Sequence, residues 1–221
     1  MKEVRTLEPI SVGLLNDSFP PQIDGVANAV MNYAEVITRK YGNAVVAAPY
    51  YPDYSDDIYP YRVVRYSSMD TTNWVGYRAG YPLDPKAIDA MSKEPLNILH
   101  AHCPVTAVML GRALRETMNI PMVFTYHTKF DIDIKNAISA KLLQEAAIHA
   151  LVHNIEACDD VWVVSRGAGK TCVRSASKAS TRSWRTASMC QKGARRTRRL
   201  RRCAANTDSI RRSRRFCLSA E

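Results

Sequence analysis

The sequence predicts an α/β fold, a parallel sheet flanked by helices, followed by an unfolded basic tail. Three observations carry this. Short apolar runs alternate with helix-length segments from residue 9 to residue 164, the pattern of successive right-handed βαβ units. Four of those runs end in polar, His- or Gly-containing loops, at 16–25, 100–104, 127–133 and 165–169. In a parallel sheet the ligand crevice lies beyond the carboxyl ends of the strands. Charge is divided as well: residues 1–171 hold 16 Lys and Arg against 19 Asp and Glu, whereas 172–221 hold 15 against 2. The net charge of +10 therefore belongs to the tail.

The elements follow in order. Residues 9–15 (PISVGLL) read as a buried strand feeding a loop with Pro20-Pro21 and Asp24-Gly25. Residues 26–41 read as a helix with Val26, Val30, Tyr33, Ala34 and Ile37 on one face. Lys40 and Gly42 give it a basic last turn and a glycine stop. Residues 44–48 (AVVAA) are the second strand. Residues 49–82, rich in Tyr, Pro and Asp, hold one or two strands within long loops, 61–65 among them. Asp84 caps a short helix through Met91. Strand 96–100 runs into His100-Ala101-His102-Cys103-Pro104, a helix continues to about 118, and strand 121–126 ends at His127. A long helix is expected over 133–154 and a strand over 161–164.

Composition limits the function classes. With 46% hydrophobic and 24% charged residues in 221, the chain has material for one packed core. No apolar run is long enough to span a bilayer, and residues 1–10 lack the apolar segment of a secretory signal. Only Cys103 and Cys158 lie in the first 171 residues, so a disulfide framework is not expected and the body reads as cytoplasmic.

Each chemical motif has a functional and a structural reading. Asp24-Gly25 at a helix start could let an anion approach backbone N–H groups, or could be a turn with a helix cap. His100, His102 and Cys103 lack further ligands at metal spacing, which favours strand-end histidines and no metal. His127, at the ligand edge, could contact a sugar hydroxyl or phosphate, or be held by carbonyls. Gly167-Ala168-Gly169-Lys170-Thr171 matches only the end of a P-loop, because Val164 stands where the first glycine belongs. Asp131-Ile132-Asp133 reads as helix caps.

Taken together, LLNDSFPPQIDGVANAV, HAHCP at 100–104, FTYHT at 124–128 and DVWVVSRG at 160–167 resemble the family 4 glycosyltransferases, retaining enzymes of the GT-B fold. The resemblance covers about 9–171 and implies a Rossmann-like N-terminal half of a GT-B fold, the acceptor-side domain. It implies hexose transfer from a nucleotide sugar to a lipid or saccharide acceptor. The nucleotide sugar enters as a co-substrate and no cofactor is needed. By that resemblance His127 is the catalytic candidate in contact with the transferred sugar, Gly25 and Asp24 lie at the donor phosphate, and His102, Thr128 and Lys129 lie on the acceptor side. Many family members carry two glycines where this chain has Asp24-Gly25. The FPP-x-IDGVA form leans toward a glycolipid acceptor such as diacylglycerol, which would bring the intact enzyme to the inner membrane face. The second family domain, with its E-x7-E pair and cationic diphosphate contacts, is not visible here, so the isolated chain is expected to be inactive.

The sequence divides into 1–171, the acceptor-side domain, and 172–221, an Arg-rich tail without hydrophobic periodicity. Read from the third base of codon 171, suitable codons turn CVRSASKASTRSWRTASMCQKG into LRSLGFKGEYTIMENGVDVPKG, and CAANTDSIRRSRRFCLSAE into VRRQYGFDPTIPAVLSFGR. The first holds an N-G-V-D crossing segment and the second ends like the first strand of the family's C-terminal domain. The tail is therefore expected to be a frameshift product, and nucleic acid is not the expected partner. The alternatives are a nucleic-acid or anionic-surface binder using the Arg pairs, and a P-loop-like nucleotide binder.

Overall fold

The computed structural model describes residues 9–127, 130, 134, 139–165, 167–172 and 188–189, with Trp74, Val75, Ser188 and Met189 described by backbone alone. Its contacts separate two units, Met1–Phe124 and Thr125–Glu221.

The first unit runs β1 (Ile10–Leu15), α1 (Gly25–Lys40), β2 (Gly42–Pro49), β3 (Arg62–Tyr66), β4 (Ser68–Met69), α2 (Thr72–Val75), β5 (Ala79–Gly80), α3 (Pro85–Ser92), β6 (Ile98–Ala101), α4 (Thr106–Met118) and the start of β7 (Met122–Tyr126). The strands stand in the order β3-β2-β1-β6-β7, with each neighbouring pair parallel. Val12 of β1 lies opposite Ala44 on one side and Ile98 on the other. The chain builds outward from β1 to β3, then crosses to β6 on β1's other side. The carboxyl ends of β1 and β6 therefore flank the point where the winding reverses.

The alternation of β1 and β2 decides which helix lies where. Val12 and Leu14, with Ala44, Val46 and Ala48, face α1 and form one core with Val30, Ala34, Ile37 and Phe19. The α1 stripe Ala27, Val30, Ala34 and Ile37 is buried, the three- and four-residue spacing of a single helical face. Asp24 starts the helix, its Oδ1 accepting from Val26 N at 2.8 Å and Ala27 N at 2.7 Å. Arg39 and Lys40 in the last turn suit the helix dipole. Gly42 follows with φ +152°, where a Cβ would strike the Ile10 carbonyl oxygen. Only glycine lets the chain turn back into β2 there.

The other sheet face carries α3 and α4. A Cβ on Gly13 would meet Leu99, Leu96 and Met91, and one on Gly111 would sit 2.9 Å from Leu15 Cδ1 and also crowd Met122. Helices thus cover both faces of a parallel sheet, as the strand and helix alternation predicts. The helix α4 ends at Asn119, which takes the left-handed conformation at φ 52°. Asp84 caps α3 through Lys86 N and Ala87 N. It also accepts from Ser67 N and Oγ. Burial pushes the Asp84 carboxyl up, but these bonds outweigh it and hold the group below its usual range.

The second unit contains α5 (Lys141–Glu156), β8 (Asp160–Val163), a helical stretch at 167–172 and β9 (Ser188–Met189). Of the helix expected over 133–154, α5 covers the part from Lys141 onward; Ala140 before it is extended at ψ 116°, Ile134 is helical, and 133 and 135–138 lie outside the described residues. Within the tail expected to be unfolded, Ser188 and Met189 pair in parallel with Trp162 and Val163.

Candidate functional site

The loop after β1 and the connection after β6 lie side by side at the reversal of the sheet. His102 N donates to Leu15 O at 2.9 Å and Asn16 N donates to Ala47 O at 3.1 Å, so both segments extend the sheet. Asn16 is fully buried. Its Nδ2 donates to Ser18 O at 2.5 Å, its Oδ1 accepts from the Cys103 thiol at 3.1 Å, and its carbonyl accepts from the Tyr66 hydroxyl at 2.7 Å. One amide side chain and its own backbone thus join the β1 loop to the ends of β3 and β6.

Asp17 makes the next connection. Its Oδ1 accepts from Ala107 N at 2.6 Å and its Oδ2 from Thr106 N at 3.1 Å. Val105, the cap position of α4, offers no side-chain acceptor. A carboxylate from the β1 loop therefore satisfies two of the helix's first N–H groups. Burial pushes the Asp17 carboxyl up to about 6, against the opposing bonds from Ala107, Thr106 and Tyr66. Burial also raises the Cys103 thiol and the Tyr66 hydroxyl well above their ordinary values, so both stay protonated at neutral pH.

Behind this edge Arg65 ties down the proline loop. Its Nε and Nη2 donate to the two Asp56 oxygens at 2.9 and 2.6 Å, and further bonds reach Pro49 O at 2.8 Å and Pro20 O at 2.7 Å. The guanidinium also lies 5.3 Å over Phe19 and 5.5 Å over Tyr54. The Pro20-Pro21 peptide is cis. On the outer side, burial, and after it the charge of Asp17 and the nearby Cys103, raise the Tyr77 hydroxyl, and Gly80 O accepts from Thr106 Oγ1 at 3.4 Å. Val105 and Met109, at the start of α4, and Tyr77 and Tyr81, on either side of β5, are exposed apolar residues, from 37% for Met109 to 55% for Tyr81 and Val105.

The residues singled out from the sequence separate. Asp24 is the α1 cap, and Gly25 has open space where a Cβ would stand. His102 is 0% exposed; its ring lies 4.0 Å from that of His100 and 5.5 Å from that of Tyr33. The two histidines share one face, as the strand pattern requires, but as packed rings beneath the loop. His127 follows β7 in the second unit and is partly buried. Thr128, Lys129 and the 131–133 aspartate pair lie outside the described residues. The Gly167–Thr171 segment is helical, with Gly169 N bonded to Ser165 O at 3.0 Å and Ala168 N to Ser165 Oγ at 3.1 Å. Those donors close a helix start and do not cradle a phosphate. Among the described residues no three His, Cys, Asp or Glu side chains gather as a metal site, and no helix is long and apolar enough to cross a membrane.

Asp17 and Arg65 are the residues that sequence reasoning missed. The signal for Asp17 was present: a helix opening Pro104-Val105-Thr106 lacks a polar residue at its cap and needs an acceptor from elsewhere.

Comparison with known proteins gives these features a family. A relative, the alpha-monoglucosyldiacylglycerol synthase of Streptococcus pneumoniae (strain ATCC BAA-255 / R6), is 24% identical over 144 residues, 64% of this chain and 32% of that protein. The chain thus spans about a third of that curated relative. Among solved structures, the glycotransferase of kitacinnamycin aligns over 71% of this chain and 46% of its own, at 11% identity and a TM-score of 0.39. The sequence model of Glycosyltransferase Family 4 matches residues 23–213, extending into the Arg-rich segment. With most of its length matched, the chain belongs to Glycosyltransferase Family 4.

Proposed function

We propose that this chain supplies the acceptor-side half of a retaining GT-B enzyme that moves a hexose from a nucleotide sugar to a membrane glycolipid. The observation that carries the lipid reading is the exposed apolar area of Tyr77 and Tyr81, on either side of β5, and of Val105 and Met109, at the start of α4. Exposed apolar area gathered at a ligand edge suits an acyl or diacylglycerol body better than a free saccharide. The name of the streptococcal relative, which denotes a glucosyldiacylglycerol product, supports a lipid acceptor.

In this reading His127 contacts the transferred sugar and positions it. Gly25 admits the donor phosphate into the open space beside it. The amides of Val26 and Ala27 are engaged by Asp24, so the phosphate contact is confined to the glycine itself. His102 serves the acceptor side as the packed anchor of its loop, and by the family resemblance Thr128 and Lys129 are acceptor-side residues. A second Rossmann-like domain holds the nucleotide and stabilises the leaving diphosphate. The chemistry needs no metal or cofactor from this half. The chain alone is expected to bind acceptor and to turn over little, acting at the inner membrane face in the intact enzyme.

The test is hexose transfer from labelled nucleotide sugars to diacylglycerol and monoglucosyldiacylglycerol. This polypeptide alone gives no product above background, and joined to an in-frame second domain it gives retained-configuration glycolipid. Turnover by this exact chain at the rate of two-domain relatives would sink the division of labour. Resequencing across codon 171 tests the frameshift reading separately. One added base restoring Asn-Gly-Val-Asp supports it; an unchanged sequence with a folded 172–221 segment refutes it.

A further inference from the structure

We infer that Asp17 is a positioning residue of this site, clamping the loop after β1 onto the first turn of α4 through two backbone N–H groups. Its donors, Thr106 and Ala107, are 89 and 90 residues away in sequence, so the bonds fix tertiary arrangement and not a local turn. The helix has no cap of its own at Val105, and its unsatisfied amides and positive end favour a carboxylate. The clamp continues on both sides. Asn16 binds the Cys103 thiol and the Tyr66 hydroxyl, and Thr106 Oγ1 reaches Gly80 O. Four chain segments therefore hold their relative places through one short network, and Val105, Met109 and Tyr77 stand on them. The residue touches no substrate in this scheme; it acts by holding the wall that does.

Among the described residues, titratable groups from three other segments face Asp17. Tyr66 comes from β3, Tyr77 from the segment between α2 and β5, and Cys103 from the β6–α4 connection; burial raises all three, so they remain neutral where Asp17 titrates. The charge of Asp24 reaches Cys103 from the start of α1. Asp17 is thus the charge the α4 amides sense near neutral pH. Its carboxyl, pushed up to about 6, is mostly ionised at pH 7.

The inference concerns the site of the proposed function, but its test uses the chain without ligand, so the two fail separately. Backbone amide shifts of Thr106 and Ala107 are followed by NMR from pH 4.5 to 8 in the wild-type chain, D17N and D17A. The wild-type amides are expected to shift together with a midpoint near pH 6, and both variants to lose that transition. Hydrogen exchange in the first turn of α4 should quicken about five- to tenfold in D17A, the effect of losing a cap. It should quicken less in D17N, whose amide oxygen still accepts one bond. A transition that persists in D17N, or unchanged first-turn exchange in D17A, overturns the inference. Should D17A not fold, the wild-type and D17N titrations decide it.

Discussion

Replacing Arg65 with methionine keeps the aliphatic stem and removes every polar contact of the guanidinium. The wild-type side chain is 12% exposed and its ion-pair partner Asp56 is 21% exposed. Removal strands a carboxylate and the carbonyls of Pro49 and Pro20. Breaking a buried pair by deleting one partner costs about 3–5 kcal/mol. Because Asp56 retains some access to water, the lower end applies, about 3 kcal/mol. With a urea dependence of about 1.5 kcal/mol/M, typical of a small domain, the unfolding midpoint should fall by about 2 M. Circular dichroism through a urea titration reads that shift. Limited proteolysis should show new cleavage within 50–61, where the staple is lost. A cycle with Asp56→Ala should return a coupling of about 2 kcal/mol. A midpoint drop under about 0.5 M, or zero coupling, would refute the claim that Arg65 holds the proline loop.

Three further outcomes are expected. Gly42→Ala should destabilise by about 2 kcal/mol or more, since the new Cβ meets the Ile10 carbonyl at φ +152°; the thermal midpoint reads it, and a neutral result would contradict the turn geometry. Asp24→Ala should lose about 1 kcal/mol as a cap deletion, while Asp24→Gly should lose only a few tenths; equal losses would place Asp24's value outside capping. The pH dependence follows from Asp17, whose carboxyl moves from 3.8 unfolded to about 6 folded. The native state then binds the proton more tightly, so this stabilising contribution is full below about pH 4 and is lost as pH rises through 6, about 3 kcal/mol in all. Asp17→Asn should flatten that slope in urea titrations run from pH 4 to 7.5.

Legibility in the sequence tracked how local each signal was. The strands at 10–15, 42–49, 98–101 and 122–126 and the helix 25–40 were readable, because each presents its apolar period within its own residues. Within 49–82 the strand expected over 61–65 stands as β3 (Arg62–Tyr66), but β4 and β5 were not readable: they are two residues long and stand by pairing with each other, with Ser68 opposite Gly80 and Met69 opposite Ala79. The break before Lys141 carries no glycine or proline to announce it. At the site, Asp24 and the shared face of His100 and His102 were visible from spacing. The full burial of His102 depended on Tyr33 packing across from α1. Asp17 and Arg65 depend on partners far away in sequence, except for Asp56, and no local pattern pairs them.

The central claim is that this chain holds the acceptor half of the transfer and not the nucleotide half. Co-sedimentation with phosphatidylcholine vesicles containing monoglucosyldiacylglycerol, alongside calorimetry with UDP-glucose, tests it directly. The account predicts binding that depends on the glycolipid and weakens at least about fivefold when Tyr77 and Val105 are both changed to Ser. It predicts no measurable heat with the nucleotide sugar. Tight UDP-glucose binding, with vesicle binding indifferent to the glycolipid and to those two substitutions, would contradict it.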